Sequence, residues 1–179
     1  MEQASGAAKA VNASSSKWLK ILYDITKHYY GKGLAVTIFK IGETWWNSNQ
    51  ACFASQLRIR HACRQFFSDY SPQSNFLKQL RLWGENCYWK KLEEAEYMVS
   101  PFCDAYFPMQ RDGNTTAHVL LVFFNLWKHL SGFGSEDEVD KMLSKLESRF
   151  KREESHLLFF AFLVHPVFHQ LAIKILDES

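Results

Sequence analysis

The sequence predicts a mainly α fold: a helical bundle of about five to seven helices with one short strand. Three observations predict it. Apolar residues recur at helical spacing, most clearly Trp89, Leu92, Val99, Phe102 and Tyr106, separated by three, seven, three and four positions. Helix-start and helix-stop residues flank several such stretches. Only one segment, Leu34 to Ile41, is short, β-branched and bounded by glycine on both sides, at Gly33 and Gly42.

The material for a core is present. The chain has 179 residues, 47% hydrophobic, with 15 Phe, 7 Tyr and 6 Trp. Aromatic side chains bury large areas, which argues against disorder over most of the length. A net charge of +2 marks neither a strongly basic nucleic-acid binder nor an acidic solvating tail, although a local basic face is compatible with it. Cys52, Cys63, Cys87 and Cys103 form no C-x-x-C pair. They are expected to be reduced, buried thiols of an intracellular protein, with no zinc site. The first residues show no basic stretch followed by an apolar run, so no secretory signal is expected. Leu157 to Val164 is far short of the roughly 20 apolar residues of a membrane span, and is expected to be a buried core helix.

The elements follow in order. Residues 1–15 are rich in Ala and Ser and are expected to be a disordered lead-in, leaving 16–179 as a single helical domain. Ser16 caps a helix over 17–30 with Trp18, Leu19, Leu22, Ile25 and Tyr29 on one side, ended by Gly31 and Gly33. The strand 34–41 follows. It cannot satisfy its own edges alone, so its edge is a candidate for pairing outside this chain or for self-association. From Trp45 a long helix runs to Tyr70 and Pro72 closes it. Phe76 to Trp83 is a short helix or turn. The next helix starts near Trp89, bends at Pro101 and stops at Pro108. Asn114 or Thr115 caps a helix apolar nearly all round (Val119, Val122, Phe123, Leu126, Trp127, Leu130), expected at the centre of the bundle. Ser135-x-x-Glu138 is a capping box for a helix that turns Val139, Met142, Leu143, Leu146 and Phe150 inward. Pro166 opens a last short helix.

No catalytic signature accompanies these elements. G-x-S-x-G, a glycine-rich phosphate loop and H-E-x-x-H are absent. His165 and His169 are four apart, but Pro166 lies between them and no carboxylate lies within a turn of His165, so a structural role is expected rather than metal binding. Glu93, Glu94 and Glu96 crowd one helix, where neighbours do not converge on a shared ion, and are read as a solvated face. The best candidate for phosphate contact is Arg58, Arg60 and Arg64, extended by Lys78, Arg81, Lys90 and Lys91 if the helices dock suitably. The competing reading is the outer side of a long helix with arginine stems laid over apolar neighbours.

One set of motifs goes beyond generic helix. Thr44-Trp45-Trp46-Asn47-Ser48, after Glu43, follows the strand and opens a helix. It resembles the Thr-Arg-Trp-Asn-Ser segment of hAT-family transposases. Trp89 to Glu96 and Pro101-Phe102-Cys103, then Asn125 to Leu130, then Phe162-Leu163-Val164-His165-Pro166-Val167-Phe168 are similar to later family segments in the family's order, with His165 where aspartate is common. The likeness covers about residues 17–176.

The resemblance implies the end of a ribonuclease H-like core followed by the family's helical insertion. It makes the strand 34–41 the remnant of a larger sheet. The family cuts and joins DNA with an Asp-Asp-Glu triad and divalent metal. Its two aspartates precede the strand and its glutamate follows the insertion, so no residue here is assigned a catalytic role, and Trp45 replaces the family's arginine. The expectation is a non-catalytic, transposase-derived (domesticated) module without cofactor, binding DNA or a protein partner in the nucleus and having no membrane contact. The alternative is a protein-interaction scaffold or dimerisation domain without nucleic-acid contact. A metal-dependent nuclease within a larger assembly is a further alternative, for which the converging acids are not visible.

Overall fold

A computed structural model describes residues 2–14, 17–31, 38, 45–110, 112–133, 137–153, 156–170 and 173–174. Among them the fold is mainly helical: α1 (Glu2–Ala13), α2 (Trp18–Tyr30), α3 (Trp45–Arg58), α4 (Arg60–Tyr70), a 3₁₀ helix (Lys78–Gly84), α5 (Asn86–Met109), α6 (Thr116–Ser131), α7 (Asp137–Glu153) and α8 (His156–Leu163). The expected strand 34–41 lies outside the described residues except for Ile38, whose side chain is buried and whose carbonyl accepts a hydrogen bond from Asn12 Nδ2 at 3.0 Å. The chain divides into two compact units, residues 1–100 and 101–179. The division falls within α5, at Pro101.

The helices outnumber the expectation for two reasons. First, Glu2–Ala13 is helical, where a disordered lead-in was expected. Ala4, Ala7, Ala8 and Val11 recur at i, i+3, i+4 and i+7 and are all buried. Their small side chains let α1 lie close against α3 and the 3₁₀ helix. Second, the expected helix 45–70 breaks at Ile59, which leaves helical geometry with φ −105° and ψ 20°. The two halves bury their faces against different partners. Cys52, Phe53 and Gln56 are buried on α3, which packs on α1, whereas Ala62, Cys63 and Phe66 are buried on α4, which packs on α2 and the 3₁₀ helix.

The first unit is organised around aromatic rings. Phe66 is fully buried and its ring centroid lies 5.5–5.8 Å from those of Trp18, Tyr70, Phe76 and Trp83. Trp18 also meets Phe76 edge-on at 5.6 Å, an arrangement favoured by the ring quadrupoles. The expected capping residue Ser16 lies outside the described residues. The Trp18 N–H instead donates to Ser14 Oγ at 3.3 Å. Gly31 ends α2 at φ +79°, which only glycine adopts without strain. Tyr29, expected on the inner side of α2, is half exposed. Gly84 ends the 3₁₀ helix, where a Cβ would stand 2.3 Å from Phe67 Cε1. The close approach of the Phe67 ring therefore depends on the absence of that side chain.

Beside these rings sits a buried polar network centred on Gln56. Its Oε1 accepts from Tyr88 Oη at 2.7 Å and from Trp83 Nε1 at 3.3 Å, and its Nε2 donates to the Ala4 carbonyl at 3.1 Å. The Trp83 carbonyl in turn accepts from Trp89 Nε1 at 2.8 Å. The network ties α1, α3, the 3₁₀ helix and α5 together, and satisfies groups that burial would otherwise penalise.

In the second unit α6 packs against both α7 and α8. Thr115 is its N-cap and forms a capping box with His118. The expected box at Ser135 lies outside the described residues. Ala117, Leu126 and Leu130 of α6 are buried with Val139 of α7 and Leu158 and Phe162 of α8. Two expectations are corrected. α6 is not covered all round, since Phe124 and Trp127 are exposed. Nor is α8 a buried core helix: Leu157, Phe159, Phe160 and Leu163 are exposed, because only one side of this short helix meets α6. Among the described residues no helix is long and apolar enough to cross a membrane.

Candidate nucleic-acid interface

The five basic residues singled out from the sequence do not converge on one point. Arg58 closes α3 and is exposed. Arg60 opens α4, forms an ion pair with Glu93 of α5 and lies 5.5 Å from the centre of the Trp89 ring. Arg64, one turn further on, donates from Nη2 to Asn86 Oδ1 at 2.7 Å. Lys78 is exposed at the start of the 3₁₀ helix. Arg81 lies nearer the far end of α4, with its guanidinium 5.8 Å from the Phe76 ring and Nη2 3.5 Å from the Ser71 carbonyl. The structure thus brings Arg60 and Arg64 to the edge where α4 meets the start of α5, and places Arg81 apart from them.

Acidic residues interleave with this edge. Arg60 is neutralised by Glu93, and Lys90 stands 3.8 Å from Glu94. Arg64 meets a neutral amide and keeps its charge. Among the described residues neither Arg58, Lys78 nor Lys91 is in an ion pair. Exposed pairs such as Lys90–Glu94 are weak and open readily to a better anion. Sequence reasoning missed Asn86, Lys17, whose Nζ lies 4.1 Å from the Trp18 ring centre, and the placement of Glu93 against Arg60. The last joins positions 33 apart, so no local signal announces it.

Charge is divided between the units. Residues 1–100 hold thirteen Lys and Arg against eight Asp and Glu, net +5, and residues 101–179 hold eight against eleven, net −3. The whole-chain value of +2 conceals this separation.

The other candidate chemistries are placed as follows. Glu93, Glu94 and Glu96 each have a different partner: Arg60, Lys90 and the Gln50 amide, the last at 2.9 Å. Held by three different neighbours, they do not converge on one ion. Among the described residues no three His, Cys, Asp or Glu side chains are grouped to hold a metal. His165 Nδ1 accepts from the Val167 N–H at 3.2 Å, and its ring stacks on Phe168 at 4.3 Å. His169 Nδ1 lies 3.2 Å from the Pro166 carbonyl. In the family-like segment Thr44 lies outside the described residues, while Trp45 and Trp46 open α3, with Asn47 and Ser48 in its first turn. Among the described residues, Asn47 Oδ1 is a buried side-chain oxygen without a hydrogen-bond partner.

The thiols divide three to one, where all four were expected to be buried: Cys52, Cys63 and Cys103 are buried and Cys87 is exposed. Burial pushes the Cys63 thiol well above the ordinary 9.0. Burial also raises Cys52, and the hydrogen bond from Gln56 partly opposes the rise. Tyr88 is pushed far up by burial and then by the nearby Cys63 and Cys52. Above pH 9.0 the unfolded chain therefore loses thiol protons that the folded chain keeps. The unfolded state binds fewer protons there, so stability is complete below that pH and declines as pH rises towards the elevated folded values. The urea midpoint is expected to fall from about pH 9 upward. A maleimide at neutral pH should label Cys87 first and reach Cys63 only on unfolding; equal rates would contradict the burial described.

Compared with protein-family models, with curated proteins and with solved structures, the chain matches none.

Proposed function

We propose that this chain is a non-catalytic, transposase-derived helical module of hAT type that acts by binding, with duplex DNA held against the first unit in a nuclear setting. The carrying observation is the separation of charge, net +5 in residues 1–100 against −3 in the remainder. A locally basic surface attracts the phosphate backbone even when the whole protein is nearly neutral. Arg58, Arg64, Lys78 and Lys91 are the exposed cations best able to serve; Arg81 is exposed too, with its guanidinium 5.8 Å from the centre of the Phe76 ring. Arg60 is the weakest contributor, since its charge is held by Glu93. Binding rather than catalysis is supported by the acids of α5, each occupied by its own partner. The nuclear setting rests on the family likeness alone.

A salt titration of binding to a short labelled duplex tests this reading. Affinity should fall steeply with salt, with a log–log slope of about −0.9 for each phosphate neutralised. The double substitution Arg58→Ala with Arg64→Ala should flatten that slope by about 2 and weaken binding to all duplex sequences alike. An absence of binding at about 50 mM salt sinks the DNA reading. It leaves the protein-interaction scaffold, which the exposed apolar side chains of the second unit favour.

A further inference from the structure

The second unit leaves a run of large apolar side chains open on α8 and on α6. On α8, Leu157, Phe160 and Val164 are 75%, 61% and 59% exposed. They recur at three and four residues, so they lie along one side of the helix. The Val164 N–H still bonds the Phe160 carbonyl at 3.0 Å, which extends the helical turn to that residue. Phe159 flanks the stripe and meets the Phe150 ring of α7 at 6.2 Å. Phe150 in turn lines a pocket of about 260 Å³ between α6 and α7, walled by Phe123, Phe124, Trp127 and Leu146. Stripe and pocket are therefore one continuous surface, joined at the Phe150–Phe159 contact.

We propose that this surface is the interface with a second copy of the same chain, in which Phe160 of one copy enters the α6–α7 pocket of the other. Three features favour a second copy over an unlike partner. The knob and the hole occur on the same unit, which is what a two-fold, self-complementary interface requires. The charged residues lining the pocket are one acid and one base, Glu147 and Lys151, so the rim neither repels an identical copy nor selects a charged stranger. The area also fits. Leu157, Phe159, Phe160, Leu163, Val164 and Trp127 at their observed exposures leave on the order of 600 Å² open per copy, most of the roughly 800 Å² each partner contributes to a stable complex. It stands at the upper end of the roughly 300–600 Å² of the largest apolar patch on a typical monomer, a patch that is often functional. The pocket is large enough for a phenyl ring, since a cavity of about 150 Å³ admits benzene. The inference concerns the second unit alone and holds whether or not the first binds DNA.

Sedimentation equilibrium of the full chain without nucleic acid, beside two variants, tests it. The wild type should be a closed dimer, twice its 20.9 kDa. Phe160→Glu removes the knob and leaves the hole, while Leu146→Trp fills the hole and leaves the knob. Each alone should weaken the dimer on the order of thirtyfold or more. An equimolar mixture of the two should associate more tightly than either alone, because one intact knob then meets one intact hole. That rescue separates loss of an interface from loss of folding, since an unfolded variant cannot complement. Three outcomes overturn the proposal: a wild type that stays monomeric at about 100 µM, open-ended aggregation in place of a dimer, or a mixture no tighter than its components.

Discussion

Replacing Gln56 by leucine is expected to destabilise the protein by about 4 kcal/mol, although leucine is apolar and similar in size and the site is fully buried. The reason is what the amide leaves behind. Tyr88 Oη and Trp83 Nε1 both donate to Gln56 Oε1, and both belong to buried residues. Removing their shared acceptor orphans two buried donors at roughly 1–3 kcal/mol each. The Ala4 carbonyl loses its donor as well. Urea unfolding checks the prediction through a lower midpoint at constant m. Tyr88→Phe alone should cost about 1 kcal/mol, because Trp83 still occupies the acceptor. Combined with Gln56→Leu it should cost less than the two single changes together, since the phenolic donor is no longer there to be orphaned. A loss under about 1 kcal/mol for Gln56→Leu would show that the network contributes little.

Phe66→Ala is expected to cost about 4 kcal/mol, a large share of the roughly 5–15 kcal/mol by which domains are stable. Phe66 is fully buried and its ring touches four others, on α2, α4 itself, the segment before the 3₁₀ helix, and the 3₁₀ helix. Truncation opens a cavity that those rigid rings cannot collapse to fill, so the packing term adds to the transfer term. Phe66→Leu keeps most of the volume and should cost about 1.5 kcal/mol or less. Near-UV circular dichroism should weaken in the alanine variant, since the asymmetric setting of Trp18 and Trp83 depends on the missing ring. An alanine variant within about 1 kcal/mol of the parent would mean that the site relaxes freely.

These two sites differ in how far the sequence announces them. Phe66 stands in an apolar pattern that continues through Ala62 and Cys63, and its burial follows from helical spacing. Gln56 sits between apolar neighbours and looks like an exposed interruption. Its partners, Trp83 and Tyr88, are 27 and 32 positions away. α1 is an intermediate case. Ala4, Ala7, Ala8 and Val11 have full helical periodicity, but alanine contributes little apolar signal, and an Ala- and Ser-rich start reads as unstructured until close packing gives the small side chains a purpose.

The candidate interface shows the same division. Arg58, Arg60 and Arg64 are visible as a local basic run, and so are the acids of α5. That Arg60 meets Glu93, and that Arg64 meets only an amide, is decided by how α4 and α5 come together. The break at Ile59 likewise has no proline or glycine to mark it. It follows from the separate partners of α3 and α4.

By itself, the sequence determined that the chain is mainly helical and where most helices begin and end. Those features arise from backbone hydrogen bonding, caps and spacing within a few residues. Only the tertiary structure decided which charges are compensated, which polar group anchors the first unit's core, and that one side of α8 stays open. Each of these depends on groups brought together from distant positions or left without a neighbour, and neither condition is written in a local pattern.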